Sequence, residues 1–203
     1  MAALSARCLE TGCAGRMLPG ERESGDVSVV LSTTKGALAA AVDGVGHGDE
    51  AARAARMVIE ILHRNREEHV ISLIELCHRL LRGTRGAAMS LAALDERKGM
   101  MTWVGVGNVE GVLISGNGAQ PSETLLLRGG VVGSRLPALQ AAVLPVSPRD
   151  LLVLATDGIR SGFEDCVVRG DPPEKIADCV MRQYGRATDD ATVLVARYLG
   201  PRA

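Results

Sequence analysis

The sequence predicts an α+β fold in which two antiparallel β-sheets pack face to face with helices outside. Three observations carry this reading. Short apolar segments broken by Gly, Asn, Asp or Pro turns outnumber the helical stretches. Most neighbouring segments stand at hairpin spacing, which suits antiparallel pairing and not an alternating βαβ order. The helical stretches are grouped, two in one block and a third just ahead of the last strand. A chain of 203 residues buries about 70% of the surface its unfolded form exposes. It therefore reads as one domain over 1–203 that needs no disulfide or metal merely to fold.

The stretch up to Gly25 is turn-rich. Val27–Leu31 and Ala37–Val42 read as two short strands joined by a turn at Thr33-Thr34-Lys35-Gly36. The loop Gly44–Gly48 leads into a helix from Asp49 to about His63, where Ala51, Ala54, Ala55, Val58, Ile59 and Leu62 recur at helical spacing. A second helix, from about Glu67 to Arg82, sets Val70, Leu73, Ile74, Cys77, Leu80 and Leu81 on its inner face. The period then shortens, and Gly86–Leu94, Met100–Val106, Gly111–Ile114, Thr124–Leu127 and Leu151–Ala155 read as strands. Pro173 to Tyr184 is a third helix with Pro in its first turn. Ala191–Tyr198 is the final strand.

Composition narrows the function. Hydrophobic residues make up 46% of the chain and charged residues 23%, as in ordinary globular proteins. The 23 Lys and Arg against 24 Asp and Glu give a net charge of −1, which argues against a nucleic-acid backbone as partner. One Trp, two Tyr and one Phe are too few rings for base-stacking platforms or aromatic cages. Cys8, Cys13, Cys77, Cys166 and Cys179 are odd in number and contain no C-x-x-C pair, so they read as small core side chains rather than disulfides or zinc ligands. Arg7 and Glu10 interrupt the N-terminal stretch, which is no signal peptide, and no apolar run is long enough for a membrane span. The expected location is the cytoplasm.

The chemistry gathers at strand ends. Asp26 follows Gly25 before a strand, Asp43 precedes Gly44 after one, Asp157 precedes Gly158 after one, and Asp189-Asp190 stands before the last. One Asp beside a Gly is ordinarily a turn residue. Several at apolar strand ends suggest carboxylates that converge, and converging carboxylates repel unless cations neutralise them. Oxygen ligands without Cys or His select hard cations, so Mn²⁺ or Mg²⁺ is expected, with two ions able to orient a phosphoryl group for in-line attack by water. A dinucleotide-binding reading of LAAAVDGVGHGDEAARAA fails on spacing. Gly44-Val45-Gly46-His47-Gly48 is G-x-G-x-G, and no strand-ending acid lies about 20 residues on.

The ordered stretches GERESGD (20–26), AAVDGVGHGDEAARAA (40–55), WVGVGNVEGVLI (103–114), LATDGI (154–159) and TDDATVLVARY (188–198) span nearly the whole chain. Together they resemble the metal-dependent PPM (PP2C-type) Ser/Thr phosphatases, within them the short bacterial SpoIIE/RsbX branch. The resemblance implies an α-β-β-α sandwich and hydrolysis of phosphoserine or phosphothreonine by water activated at a metal centre, without a phospho-enzyme intermediate. It implies that Asp26, Asp43, Asp157 and Asp189 are metal-binding and catalytic, with Asp43 between the two ions and the Gly44 carbonyl as a further ligand. Asp190 is then the less essential neighbour of Asp189. The implied partners are phosphorylated STAS-domain proteins of stressosome type, with neither nucleic acid nor membrane involved. A SpoIIE/RsbU-like role on a phosphorylated anti-sigma-factor antagonist is the alternative, and a non-catalytic PPM-like binding module the rival of another class.

The chain also departs from the larger relatives. Val45 stands where they carry a His after Asp-Gly, and His47 lies two residues on, expected to be structural or supporting. Arg16 and Arg22 are candidates for a phosphate-clamping Arg, with solvated charge the plainer reading. Asn108 is expected to be structural near the metal loop. Arg160 suits either a substrate anion or a surface ion pair. Arg128–Leu139, with Arg135 and Leu136 expected to be exposed, is a candidate substrate-docking edge.

Overall fold

A computed structural model describes residues 4–118 and 120–201. In chain order the strands are β1 (Leu4–Ser5), β2 (Leu9–Arg16), β3 (Asp26–Ser32), β4 (Gly36–Gly44), β5 (Ala87–Asp95), β6 (Met100–Val106), β7 (Glu110–Ile114), β8 (Glu123–Thr124), β9 (Leu127–Arg128), β10 (Ala142–Pro145), β11 (Leu151–Ala155) and β12 (Ala191–Tyr198). The helices are α1 (Asp49–Asn65), α2 (Val70–Leu80) and α3 (Pro173–Tyr184), with a short 3-10 turn at Phe163–Cys166. The first sheet runs β1-β3-β4-β5-β6-β10, with β9 also on β6, and the second β2-β12-β11-β7-β8. Pairing is antiparallel except at β1–β3 and β6–β9.

Alternation along the strands explains the layering, because successive side chains point to opposite faces. On β4, Leu38, Ala40 and Val42 pack under α1 and α2, while Ala37, Ala39 and Ala41 face the second sheet. The small alanines on that inner face let the two sheets approach. On β12, Val193 and Val195 pack against α3 while Leu194, Ala196 and Tyr198 face the first sheet. The result is four layers, α1 and α2 on the first sheet, then the second sheet, then α3. This is the α-β-β-α sandwich expected from the sequence.

Several local expectations change. The turn-rich start contains β2, an eight-residue strand paired along its length with β12. Its LETGCAGR sequence lacks apolar alternation because α3 lies on its backbone. A Cβ at Gly12 would stand 2.1 Å from the Glu174 nitrogen. The segment Thr124–Leu127 is not one strand. It crosses between layers, so that β8 pairs with β7 in the second sheet and β9 with β6 in the first, with Leu125 buried between them. Leu80 points outward and Leu81 completes the inner face of α2 instead. Leu136 is half-buried against the helix-covered core and not exposed. None of the five cysteines forms a disulfide; Cys166 and Cys179 face each other at 2.7 Å between the 3-10 turn and α3.

Candidate metal and phosphate site

The register brings the acidic strand ends together. β3 begins where β4 ends, and Asp26 and Asp43 are direct cross-strand partners. In the second sheet β11 ends beside the start of β12, since Ala155 pairs with Val193. Asp157 follows the one and Asp189 precedes the other. The β6–β7 link passes from the first sheet to the second and carries Asn108. Asp43, Asp157, Asp189 and Asn108 line one open cleft of about 620 Å³, with Gly46, His47, Gly107, Gly129, Val131 and Thr188 among its other walls. Asp26 lies beneath, 9% exposed.

The electrostatics follow from this crowding. Burial, then the Asp43 charge, pushes the Asp26 carboxyl up to about 8, although hydrogen bonding to Thr156 pulls the other way. Burial, then Asp157 and Asp189, pushes Asp43 up to about 7. Asp157 is raised by burial and Asp189, and lowered by a hydrogen bond from Asn108 and by Arg186. The Asn108 amide donates to Asp157 Oδ2 at 2.6 Å. Like charges held this close in partial burial need a counter-charge.

The residues fit a hard divalent cation. The donors are oxygens only, and Asp26 Oδ2 is buried without a hydrogen-bond partner, an orphaned acceptor that a cation would satisfy. Gly44 is buried at the end of β4, against the loop that carries Gly25 and Asp26. A side chain there is excluded, since a Cβ would meet the Ala51 carbonyl oxygen at 2.2 Å. Among the described residues, no three His, Cys, Asp or Glu side chains form a cage around one point. A dispersed set is compatible with Mg²⁺, which keeps several waters and takes one or two carboxylates at a time.

Asp189 and Asp190 divide their work. Asp189 lines the cleft. Asp190 is buried, and its two carboxylate oxygens accept from the Leu18 and Gly25 backbone nitrogens, each at 2.8 Å. It ties the loop before β3 to the start of β12. At Gly158 a Cβ would stand 1.8 Å from the Asp190 carbonyl oxygen, so the Asp157 turn packs directly on that tie.

Of the other residues singled out in the sequence, His47 is at the cleft rim, its Nδ1 2.6 Å from Glu21 Oε1. Arg16 donates to the Arg186 carbonyl, and neither it nor the exposed Arg22 lines the cleft. Arg160 donates to the Gln183 and Tyr184 carbonyls and lies over the Tyr184 ring. It caps the C-terminal end of α3 and does not line the cleft. The Arg128–Leu139 loop does form a cleft wall, held by Ala87 and Val132 exchanging backbone hydrogen bonds at 3.0 and 2.9 Å. Sequence reasoning passed over Thr156, which stands directly before Asp157 in LATDGI and could have been sought there. It also passed over Arg186, an exposed loop Arg that no local pattern marks.

Comparison with known proteins agrees with this geometry. The model of the Stage II sporulation protein E (SpoIIE) family matches residues 33–199. Phosphoserine phosphatase RsbX of Bacillus subtilis (strain 168) is 22% identical over 179 residues, 88% of this chain and 89% of that protein. A structure from work on the bacterial stressosome as a modular system adapted to control secondary messenger signalling superposes with TM-score 0.86 at 34% identity, over 93% of this chain and 99% of that one. RsbX in complex with magnesium superposes with TM-score 0.86 at 20% identity, over 97% and 100% of the two chains. Fold and site together define a PP2C-type phosphatase. The chain belongs to the SpoIIE family and is a protein serine/threonine phosphatase of that type.

Proposed function

We propose that this phosphatase removes phosphate from serine or threonine of a STAS-domain signalling protein of stressosome type, in the cytoplasm, with Mn²⁺ or Mg²⁺ as cofactor. One observation carries the catalytic part: Asp43, Asp157 and Asp189, from the ends of both sheets, line a single open cleft, and Asp26, the cross-strand partner of Asp43, has a buried oxygen without a hydrogen-bond partner. The likeness at 34% identity to a structure from a stressosome study supports the choice of partner. Among the described residues no helix is long and apolar enough to cross a membrane.

Asp26, Asp43, Asp157, Asp189 and the Gly44 carbonyl would hold the cations, two in number. Bound there, a hard divalent cation supplies Lewis acidity toward a phosphoryl oxygen and toward the attacking water. The chain's own residues do the positioning. Asp43 pairs with Asp26 across β3 and β4 and shares the cleft with Asp157 and Asp189. The resemblance to the PPM phosphatases supports direct attack by water without a phospho-enzyme, and among the described residues no Cys lines the cleft to offer a thiolate nucleophile instead. The cleft wall at Gly129 faces open space, with nothing within 4 Å of an added Cβ, and leaves room for a protein loop bearing the phosphoresidue. The cations would be the main phosphate contact, with the Arg186 charge near Asp157.

The test is phosphate release from separately prepared phosphoproteins, one a STAS-domain stressosome protein and one a phosphorylated anti-sigma-factor antagonist. Faster release from the first supports the reading. Faster release from the second replaces it with the SpoIIE/RsbU-like role. No release from any phosphoserine protein makes the chain a binding module.

A further inference from the structure

The geometry points to Asn108 as a positioning residue of the carboxylate cluster, a neutral amide in the inter-sheet link that holds Asp157 in the cleft it shares with Asp43. This rests on the metal-site reading above and goes beyond it, because Asn108 is proposed to act through a ligand and not as a ligand itself.

The backbone fixes where Asn108 sits. Gly107 has φ 93°, a left-handed conformation that L side chains rarely adopt. A Cβ on Gly107 would also meet the Ala88 Cβ at 2.4 Å. The Gly107 nitrogen donates to the Arg128 carbonyl at 2.9 Å. On the other flank the buried Ser90 hydroxyl donates to the Val109 carbonyl at 2.6 Å. Asn108 is thus clamped on both sides at the point where the chain leaves the first sheet for the second.

The side chain then has one chemistry open to it. An ionised carboxylate only accepts, so the amide nitrogen faces Asp157 Oδ2, at 2.6 Å. Asn108, Asp43 and Asp157 line the same cleft, so the amide stands among the carboxylates. A neutral donor there orients Asp157 without adding charge, before a cation arrives. Groups that orient ligands in this way alter metal affinity by about 10–100-fold when removed.

Two variants and the wild type test the assignment, with Mn²⁺ binding followed by electron paramagnetic resonance and melting measured on metal-free protein at pH 7.5. Asn108→Ala is expected to bind Mn²⁺ about 10-fold or more weakly. Asn108→Asp keeps the shape but removes the donor and adds a like charge, so its metal-free protein should melt below both Asn108→Ala and the wild type. A residue that only fills space predicts the reverse, the isosteric Asp being harmless and Ala costly. Mn²⁺ affinity of Asn108→Ala within 2-fold of wild type overturns the assignment, as does Asn108→Asp melting at or above wild type. Wild type that binds no Mn²⁺ removes the metal-site reading and this one with it, whereas wild-type binding with an unmoved Ala variant removes this one alone.

Discussion

Asp26 and Asp43 are direct cross-strand partners at the cleft end of β3 and β4, two carboxylates where a sheet would ordinarily place an apolar or oppositely charged pair. Like charges directly opposed destabilise a sheet, and this pair is partly buried as well. The arrangement sacrifices stability at the place where the chemistry is proposed, so the two should trade against each other. In metal-free protein at pH 8, Asp26→Asn is expected to raise the melting temperature by roughly 2–8 °C, for about 1–2 kcal/mol of relieved repulsion in a chain of this size. The same variant should lose phosphatase activity. Calorimetry and phosphate release on one preparation check both halves.

The pH dependence has a definite sign. An unfolded Asp titrates near about 3.9, whereas folded Asp43 is pushed up to about 7 and Asp26 to about 8. Between those values the folded chain holds protons that the unfolded chain has released. Stability from these groups is therefore fully present below about pH 4 and lost as pH rises through 7 and 8. The metal-free protein is expected to melt progressively lower from pH 5 to pH 8.5, and saturating Mg²⁺ should flatten the curve. A melting temperature that climbs across that window contradicts the clustering.

Asp190 should behave as a structural tie. Asp190→Ala leaves the Leu18 and Gly25 backbone nitrogens without their acceptor, at a cost of about 2–5 kcal/mol. Asp190→Asn keeps one oxygen and should lose about half as much. Urea denaturation measures the difference. In contrast, Asp189→Asn should leave stability within about 1 kcal/mol while weakening Mn²⁺ binding.

Gly12 is the contact between β2 and α3. Gly12→Ala forces a methyl into the backbone of Glu174 and is expected to cost about 1–3 kcal/mol or more. Amide exchange should show α3 opening first, while β4 and β5 keep their protection.

Much of the fold was legible because its inner strands carry their own period. The limits of β6, β11, β12 and α3 follow from the sequence pattern alone, and β3 and β4 nearly so. What escaped did so for physical reasons. β2 is shaped by the helix lying on it, a tertiary demand that replaces apolar residues with Gly12 and Gly15. β10 ends in Pro145 and is tolerated as a strand because it lies at a sheet edge. The crossover at Glu123–Arg128 has the composition of one strand and the path of two. At the site, the acidic strand ends were visible as a set because Asp beside Gly recurs at apolar boundaries. Asn108 was legible as a structural residue near the metal loop but not by its contact, since its partner Asp157 lies 49 positions away and only the stacking of the sheets joins them. The difference between Asp189 and Asp190 likewise rests on which side chain meets the loop of Leu18 and Gly25.

The most direct measurement is hydrolysis of p-nitrophenyl phosphate by purified protein, stripped of metal and then titrated with Mn²⁺ or Mg²⁺, beside Asp43→Asn. The account predicts no turnover without metal, saturable activation by either ion, and loss of about 100-fold or more in Asp43→Asn. Turnover that persists in chelator, or an Asp43→Asn variant as active as the wild type, would contradict it.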